Sequence, residues 1–343
     1  MASSEITSTC EKALYPFGEF SRFVVHELPE YNQKEEYAKG ISASNGLIPS
    51  FEDVLEVVYD QPFLVRIRAM GDLGMFLVSS ELGQTSVSQD IISRLKVLAA
   101  SAGVAPRDTY SSYVNYNPVE ALRTFTGNKS EVNFIRQLQQ SDEAIRPAAE
   151  KLLLLKKNPF HENRIKFLEE TVSCVNMLKQ ESRTVHQTVD PAFFFKCFRH
   201  YFFPIQIGGQ EYSAPSAVHL ANLIVVDIVT GTASESHLQL IHSLFPYFEP
   251  KNKFRIVQAM SRPSLKEHYL EANHLDELSL LDEIYQSLIE YRLTHQGIVN
   301  RYIRKQDPDV KYGTGGFPFD SFLQELIEMV KVSREDIHRY VKK

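Results

Sequence analysis

Cysteine is scarce in this chain. Its three cysteines, Cys10, Cys174 and Cys197, lie far apart among 343 residues. They form neither the paired spacing of a zinc site nor a Cys-x-x-Cys-His motif. Isolated cysteines favour a reducing compartment over a disulfide-stabilised secreted fold. We therefore expect a cytoplasmic protein.

Long apolar runs and a strong charge imbalance are also lacking. No stretch approaches the roughly 18 uninterrupted apolar residues of a membrane-spanning helix, and residues 1–12 lack the apolar core of a signal peptide. The net charge is -6, from 37 basic and 43 acidic residues that are interspersed along the chain. This pattern provides no basic face for nucleic acid and no polybasic membrane anchor. We expect neither a nucleic-acid partner nor a membrane partner.

Glycine is sparse as well, with 15 residues, and apolar residues recur mainly at steps of three and four. That spacing is typical of helices joined by short loops, so the predicted fold class is all-α. The candidate helices span residues 63–82, 91–100, 132–155, 163–178, 192–203, 218–229, 237–245, 265–272, 281–304 and 319–330. Ser130 before Glu131 and Asp190 before Pro191 are expected N-caps.

The length allows one large domain or two modest ones with a substantial core. A tyrosine-rich segment interrupted by prolines, residues 106–118, is the most suitable boundary. We predict a smaller N-terminal helical domain at residues 1–115 and a larger helical domain at residues 116–343. No fixed repeat period occurs in the sequence, which excludes a solenoid.

One histidine lies on the apolar face of the predicted helix 281–304. His295 is seven residues from both Leu288 and Tyr302, and seven steps of about 100° return within roughly 20° of the starting direction. The imidazole therefore faces the interior, where an unpaired polar group costs roughly 1–3 kcal/mol. The iron of a bound haem is one partner for such a ring, and a backbone carbonyl in an ordinary core is the alternative.

Two further residues bear on this interpretation. Arg292 precedes His295 by three residues, so its guanidinium can reach the rim of the same pocket, where a bidentate donor suits a propionate. A solvated arginine is the alternative. His219, in an apolar run, is a rival ligand, but its sequence neighbours provide no arginine at the rim. We interpret His219 as a core histidine, or as one that contacts a metal-binding residue without binding the metal itself.

A second cluster combines aromatic rings with one cation. Phe194 and Phe195 belong to a phenylalanine-rich segment, and rings at this density usually form core. Arg199 borders the same face and needs an anion there. A substrate carboxylate is one such anion, and a salt bridge to Asp190 or Glu211 is the alternative.

Near the C-terminus, a polar segment contains Gly313, Thr314, Gly315 and Gly316. The segment lacks the lysine and the strand-loop-helix context of a nucleotide-binding loop. Its backbone amides and the Thr314 hydroxyl can meet an amino-acid head group, and its glycines permit large backbone movements. We interpret it as a mobile lid over a substrate. A plain connection between two helices is the alternative.

Three segments of the chain resemble segments of indoleamine 2,3-dioxygenase, and they occur in the same order in both sequences. Residues 291–303 with 313–316 resemble its haem-ligating helix and glycine loop, including an arginine three residues before the ligand. Residues 190–199 resemble its distal-pocket helix, with paired phenylalanines and an arginine for the substrate carboxylate. Ser213 and Ala214 begin a turn that resembles its Ser-Ala-Gly turn beside the haem.

Within this superfamily the closer likeness is to the monodechloroaminopyrrolnitrin synthase-like family. Segments outside the haem ligands resemble that family at residues 70–77, 116–118, 125–127 and 207–212. The likeness covers roughly residues 51–330. The chain has Thr314 where a member of that family has serine, and that member's tyrosine after the ligand lies one position later than Tyr302.

The resemblance implies an indoleamine 2,3-dioxygenase-like helical haem domain with a smaller helical domain before it. It implies haem-dependent oxidation of an aromatic amino acid, tryptophan or an indole derivative, by dioxygen or peroxide. Alternatives are an aromatic hydroxylase, a ring-rearranging enzyme, and a haem sensor or carrier without catalysis. The oligomeric state stays open.

The resemblance also assigns roles to residues. His295 would be the axial ligand of the iron in a haem b, held non-covalently because no cysteine pair is available. Beside the cofactor would lie Arg292, Ser213 and Ala214. The catalytic residues would be Phe194, Phe195, Arg199 and Thr314. Substrate would be bound by Arg199, Gly313, Thr314, Gly315 and Gly316.

Overall fold

The computed structural model describes residues 11–85, 89–261 and 263–342. The fold is all-α, as the sequence predicts, with 72% of the structure in helices. The α-helices include α1 Glu19–His26, α2 Leu28–Gln33, α3 Tyr37–Ala43, α4 Phe51–Asp60, α5 Phe63–Leu82, α6 Gln89–Ala102, α7 Lys129–Lys157, α8 Arg164–Thr188, α9 Pro191–Lys196, α10 Ala221–Thr230, α11 Glu235–Ser243, α12 Pro250–Met260, α13 Leu265–Glu271, α14 Leu275–Val299 and α15 Phe319–Val341.

Short segments of tighter or wider helix join these elements. The 3₁₀ turns include Val119–Ala121, Phe198–Tyr201, Ala217–His219 and Phe245–Tyr247, and the π turns include Ser111–Asn115 and Asn300–Arg304. An antiparallel hairpin pairs β1 Ile205–Ile207 with β2 Gln210–Tyr212. Gly208 and Gly209 form its turn with φ of 63° and 80°, a left-handed conformation that glycine adopts without a steric penalty.

Local sequence patterns predict the helix ends with mixed success. Helix α5 begins and ends at the predicted residues. Helix α8 continues ten residues past its predicted end at 178, because Ser182 bonds back to the carbonyl of Leu178 at 2.8 Å and does not interrupt the apolar face. The helix predicted at 192–203 is instead the short α9 followed by a 3₁₀ turn. Helices α1 to α4 and α12 were missed, since helices this short depend on tertiary packing.

One of the two expected caps is confirmed. The side chain of Asp190 accepts the amide of Ala192 at 3.0 Å and begins α9. The cap expected at Ser130 is wrong, because Asn128 begins α7 and accepts the amide of Ser130 at 2.8 Å. The Ser130 hydroxyl instead accepts the amide of Asp190 at 3.1 Å. This contact joins the start of α7 to the start of α9.

The N-terminal helices are tied to the rest by a buried ion pair. Arg123 donates from Nε to Oδ1 of Asp72 at 2.8 Å, and Ser21 donates to Oδ2 of Asp72 at 2.7 Å. A continuous apolar cluster contains both Phe20 and Ile337, so it includes residues from both sides of the proposed boundary. The division at residue 115 stays a prediction.

The C-terminal half is a layered helical bundle. Helix α7 packs on α8, α8 on α14, and α14 on α15, while α10 packs on α7. These contacts place the helix with His295 between two long neighbours. Cys174 and Cys197 are free thiols, and Cys10 lies outside the described residues.

Among the described helices, none combines the length and the apolar character that crossing a bilayer requires.

Candidate functional site

A cavity lies between α10, α14, α15 and the turns around α9. The space between its walls is about 1520 Å³, including the part that opens to solvent. The wall is mainly apolar, and its polar side chains include Tyr110, Arg199, Asp227, His237, Tyr291, Arg292 and His295.

His295 lies near the end of α14, and its ring lines the cavity. The ring makes no hydrogen bond to any residue that the structure describes, so the backbone carbonyl of an ordinary core does not satisfy it. Tyr291, one turn earlier, stacks on it with ring centroids 6.4 Å apart and planes 17° apart. Removal from water lowers the pKa of His295 to about 4. The imidazole is therefore neutral at physiological pH, and a ring nitrogen can bind a metal.

Directly after this helix, the chain widens into the π turn Asn300–Arg304. The Tyr302 hydroxyl donates to the carbonyl oxygens of Val185 and Val189, at 2.7 and 3.0 Å. These bonds attach the end of the His295 helix to the end of α8. Single π turns occur frequently at functional sites.

Arg292 is bonded to two protein partners on one side of the cavity. Its Nη2 donates to Oδ1 of Asp227 at 2.6 Å, and its Nη1 donates to the carbonyl of Leu326 at 2.7 Å. Both charged side chains are buried. The structure therefore places Arg292 at the cavity wall, as predicted, with its charge already compensated by Asp227.

Arg199 is different, because it has no anionic partner among the described residues. Its Nη2 donates to the carbonyl of Tyr312, while Nη1 is buried and unpaired. Asp190 caps α9 and Glu211 accepts from Gln206, so neither expected salt bridge forms. Burial lowers the pKa of Arg199, because it removes part of the water around the guanidinium cation. The site offers positive charge to an anionic ligand.

The two phenylalanines predicted beside Arg199 differ in position. The Phe194 ring lines the cavity and contacts the Tyr302 ring edge to face, with centroids 5.6 Å apart. Phe195 is partly buried, and the cavity wall among the described residues does not include it. Phe198 and Phe202 contribute to the wall instead.

Three residues of the glycine segment line the cavity, namely Gly313, Thr314 and Gly315. Gly316 is exposed. The Gly313 amide donates to the carbonyl of Phe317 at 2.8 Å, which closes the segment into a tight turn. A Cβ added to Gly315 would lie 3.0 Å from Oγ of Ser216 and 3.1 Å from Cγ1 of Val218. The segment thus lies directly against the 216–218 turn at the cavity wall.

The residues before that turn support the wall from outside. The Ser213 amide donates to the Tyr247 hydroxyl at 2.8 Å, and Ala214 is buried. The cavity itself is lined by the residues that follow, Pro215 to Val218. His219 is not part of the described cavity wall; its Nδ1 lies 3.1 Å from the carbonyl oxygen of Ser216, and its Nε2 is buried without a hydrogen-bond partner among the described residues. The rival ligand is therefore outside the site.

Sequence patterns missed several polar residues of the wall, among them Asp227, His237 and Tyr110. Asp227 and His237 lie in helices that were predicted, but nothing in their spacing marks them as cavity residues. Tyr110 lies in the tyrosine-rich segment that was interpreted as a domain boundary. Its hydroxyl is buried and has no hydrogen-bond partner among the described residues, like Nε2 of His237.

The family model of Monodechloroaminopyrrolnitrin synthase PrnB matches residues 44–308, which is more than half of the chain. The chain belongs to this family. Its members are haem-dependent oxidoreductases of the indoleamine 2,3-dioxygenase superfamily, which confirms the resemblance seen in the sequence. The match includes His295 and Arg199 and ends before the glycine segment.

The side chains present fit a haem. His295 offers one unpaired, neutral imidazole at the cavity, and one axial histidine is a common way for a protein to hold haem iron. A bare metal ion needs more ligands, and no group of three or more His, Cys, Asp or Glu residues that could hold one occurs in the described ranges.

Proposed function

We propose that this member of the PrnB family binds haem b through His295 and oxidises an aromatic amino acid, tryptophan or an indole derivative, with dioxygen or peroxide. One observation carries the proposal. A single cavity contains both a neutral histidine and an arginine, and among the described residues the histidine has no hydrogen-bond partner and the arginine has no anionic partner. The first suits iron, and the second suits a substrate carboxylate.

Bound haem supplies the iron at which the oxidant is activated. The chain itself contributes binding and orientation. Arg199 binds the carboxylate, Phe194 packs against the aromatic ring with Phe195 behind it, and the segment from Gly313 to Gly316, including Thr314 and Gly315, closes over the amino group. Arg292 lies beside the cofactor at the cavity wall, and Ser213 and Ala214 support from outside the turn that forms part of this wall. In the described cavity wall the one carboxylate, Asp227, is paired with Arg292, so no carboxylate is free to act as a general base.

The proposal is tested by titrating the haem-loaded protein with tryptophan and indole derivatives and identifying the product by mass spectrometry. A substrate-induced change in the Soret band followed by an oxygenated product supports it. A product with one added oxygen on an intact ring indicates the hydroxylase alternative, and a rearranged ring indicates the ring-rearranging one. A haem-loaded protein that binds and converts none of these compounds contradicts the substrate class.

Replacing Arg199 with leucine should leave haem bound and weaken tryptophan binding. A hydrogen bond to a charged group contributes about 1.5–3 kcal/mol, so the dissociation constant for tryptophan should rise about 10-fold to 150-fold. Tryptamine, which lacks the carboxylate, should bind as it does to the wild type. Arg301→Leu removes an exposed arginine nearby and serves as the control. Equal weakening for both ligands would show that Arg199 acts through packing alone.

Replacing Gly315 with valine should leave the Soret band intact and lower turnover. The added side chain would collide with Ser216 and Val218, so the segment could not cover the cavity in its present position. We expect a loss of at least roughly tenfold in kcat, equivalent to about 1.4 kcal/mol. The matched control is Gly297→Ala, because a Cβ there meets no atom within 4 Å. Unchanged kcat in the valine variant would identify the segment as a static connection.

A further inference from the structure

His237 is a buried histidine at the cavity that nothing in the proposed function uses. It lies in the first turn of α11, where its backbone amide donates to the N-cap Ser234 hydroxyl at 3.2 Å. The side chain is 7% exposed and lines the cavity. Its Nε2 has no hydrogen-bond partner within the described part of the chain. Buried polar atoms are nearly always paired, so this nitrogen at the cavity is available for a hydrogen bond to a ligand.

The charged groups around His237 do not satisfy it. Asp227 and Arg292 face it from α10 and α14, but they are bonded to each other at 2.6 Å. Glu325 faces it from α15, and its Oε1 accepts from the Ser236 hydroxyl at 3.2 Å. Burial lowers the pKa of His237, so the ring is neutral and carries one N–H donor. This donor lies at the N-terminal end of a helix, where the helix dipole favours an anion.

We propose that His237 binds a carboxylate through Nε2, and that this carboxylate is a propionate of the haem. The proposal rests on the proposed function and adds a cofactor-binding residue to it. Arg292 on the same side of the cavity is already neutralised by Asp227, so a propionate there needs a second donor. The substrate carboxylate is the other possible source of the same chemistry, but Arg199, on a different element, is free to bind it.

The test measures how fast haem leaves the protein. Wild type, His237→Leu and His237→Gln are loaded with haem, and transfer to excess apomyoglobin is followed in the Soret region. His237→Leu should lose haem about tenfold faster or more, the factor expected for a hydrogen bond to a charged group. Glutamine retains an N–H donor and should recover part of the difference. With haem dimethyl ester, which has no propionate charge, wild type and His237→Leu should release the cofactor at similar rates.

Stability of the haem-free chain provides a second readout. Leucine removes an unpaired buried nitrogen, so the haem-free variant should melt at the same temperature as wild type or higher. His219→Gln is the matched control, because His219 is equally buried but lies outside the cavity, and it should not change haem release.

Three outcomes would overturn the role of His237. Equal haem release from wild type and His237→Leu would exclude the propionate contact. Weaker binding of tryptophan, but not of tryptamine, at an unchanged release rate would assign His237 to the substrate carboxylate. A changed ferric spectrum in His237→Leu would identify it as an iron ligand. Failure of the wild-type chain to bind haem at all would instead overturn the proposed function, and this inference with it.

Discussion

Replacing His295 with alanine should abolish stable haem binding, so that the purified variant lacks the Soret band expected of the wild-type chain after haem addition. His295 combines exposure to the cavity with a ring that has no hydrogen-bond partner among the described residues. Loss of groups that merely support a metal ligand already costs about 10-fold to 100-fold in affinity. Loss of the ligand itself should therefore weaken haem binding by roughly 100-fold or more.

His219→Ala is the matched control for this prediction. Burial lowers the pKa of His219 to about 4, as it does for His295, but His219 does not line the cavity. The control should retain the ferric spectrum. Imidazole added to His295→Gly should restore a Soret band, because it can occupy the position of the missing ring. If the His219 variant loses the spectrum while the His295 variant keeps it, the ligand assignment is wrong.

Local periodicity predicted the helix that carries His295. Apolar steps of three and four indicated helix at 281–304, and α14 spans Leu275–Val299. The π turn that follows was not predicted, because no local pattern specifies it. It is held by the bonds of Tyr302 to two carbonyls of a distant helix end. Sequence reasoning therefore locates His295 better than it locates the residues just beyond it.

Ion pairs between residues that are far apart in the sequence are the part of the site that sequence patterns could not predict. The partner of Arg292 is Asp227, 65 positions away, and no spacing rule connects the two. Arg199 likewise forms no salt bridge with Asp190 or Glu211, because Asp190 caps α9 and Glu211 accepts a hydrogen bond from Gln206. Resemblance to a family supplied the expected roles of single residues. It did not predict which charged side chains at the cavity are paired with each other.

Replacing Asp227 with alanine should destabilise the protein strongly. The change leaves the Arg292 guanidinium buried, 2% exposed, with the Leu326 carbonyl as its remaining partner in the described structure. Removal of one partner from a buried ion pair typically costs about 3–5 kcal/mol. Urea denaturation of the haem-free chain should show a fall of this size in the free energy of unfolding. Glu335→Ala, which breaks an exposed pair with Arg339, should change it by less than about 1 kcal/mol.

The double variant Asp227→Leu with Arg292→Met separates charge from packing. Replacing both members of a buried ion pair with apolar residues of similar volume is often neutral, so the double variant should regain most of the stability that Asp227→Ala loses. It should still bind haem less tightly than wild type, because the donors of Arg292 at the cavity wall are gone. If the double variant is as unstable as Asp227→Ala, the pair stabilises the fold through its packing and its hydrogen bonds to neighbouring groups, and not only through the attraction between its two charges.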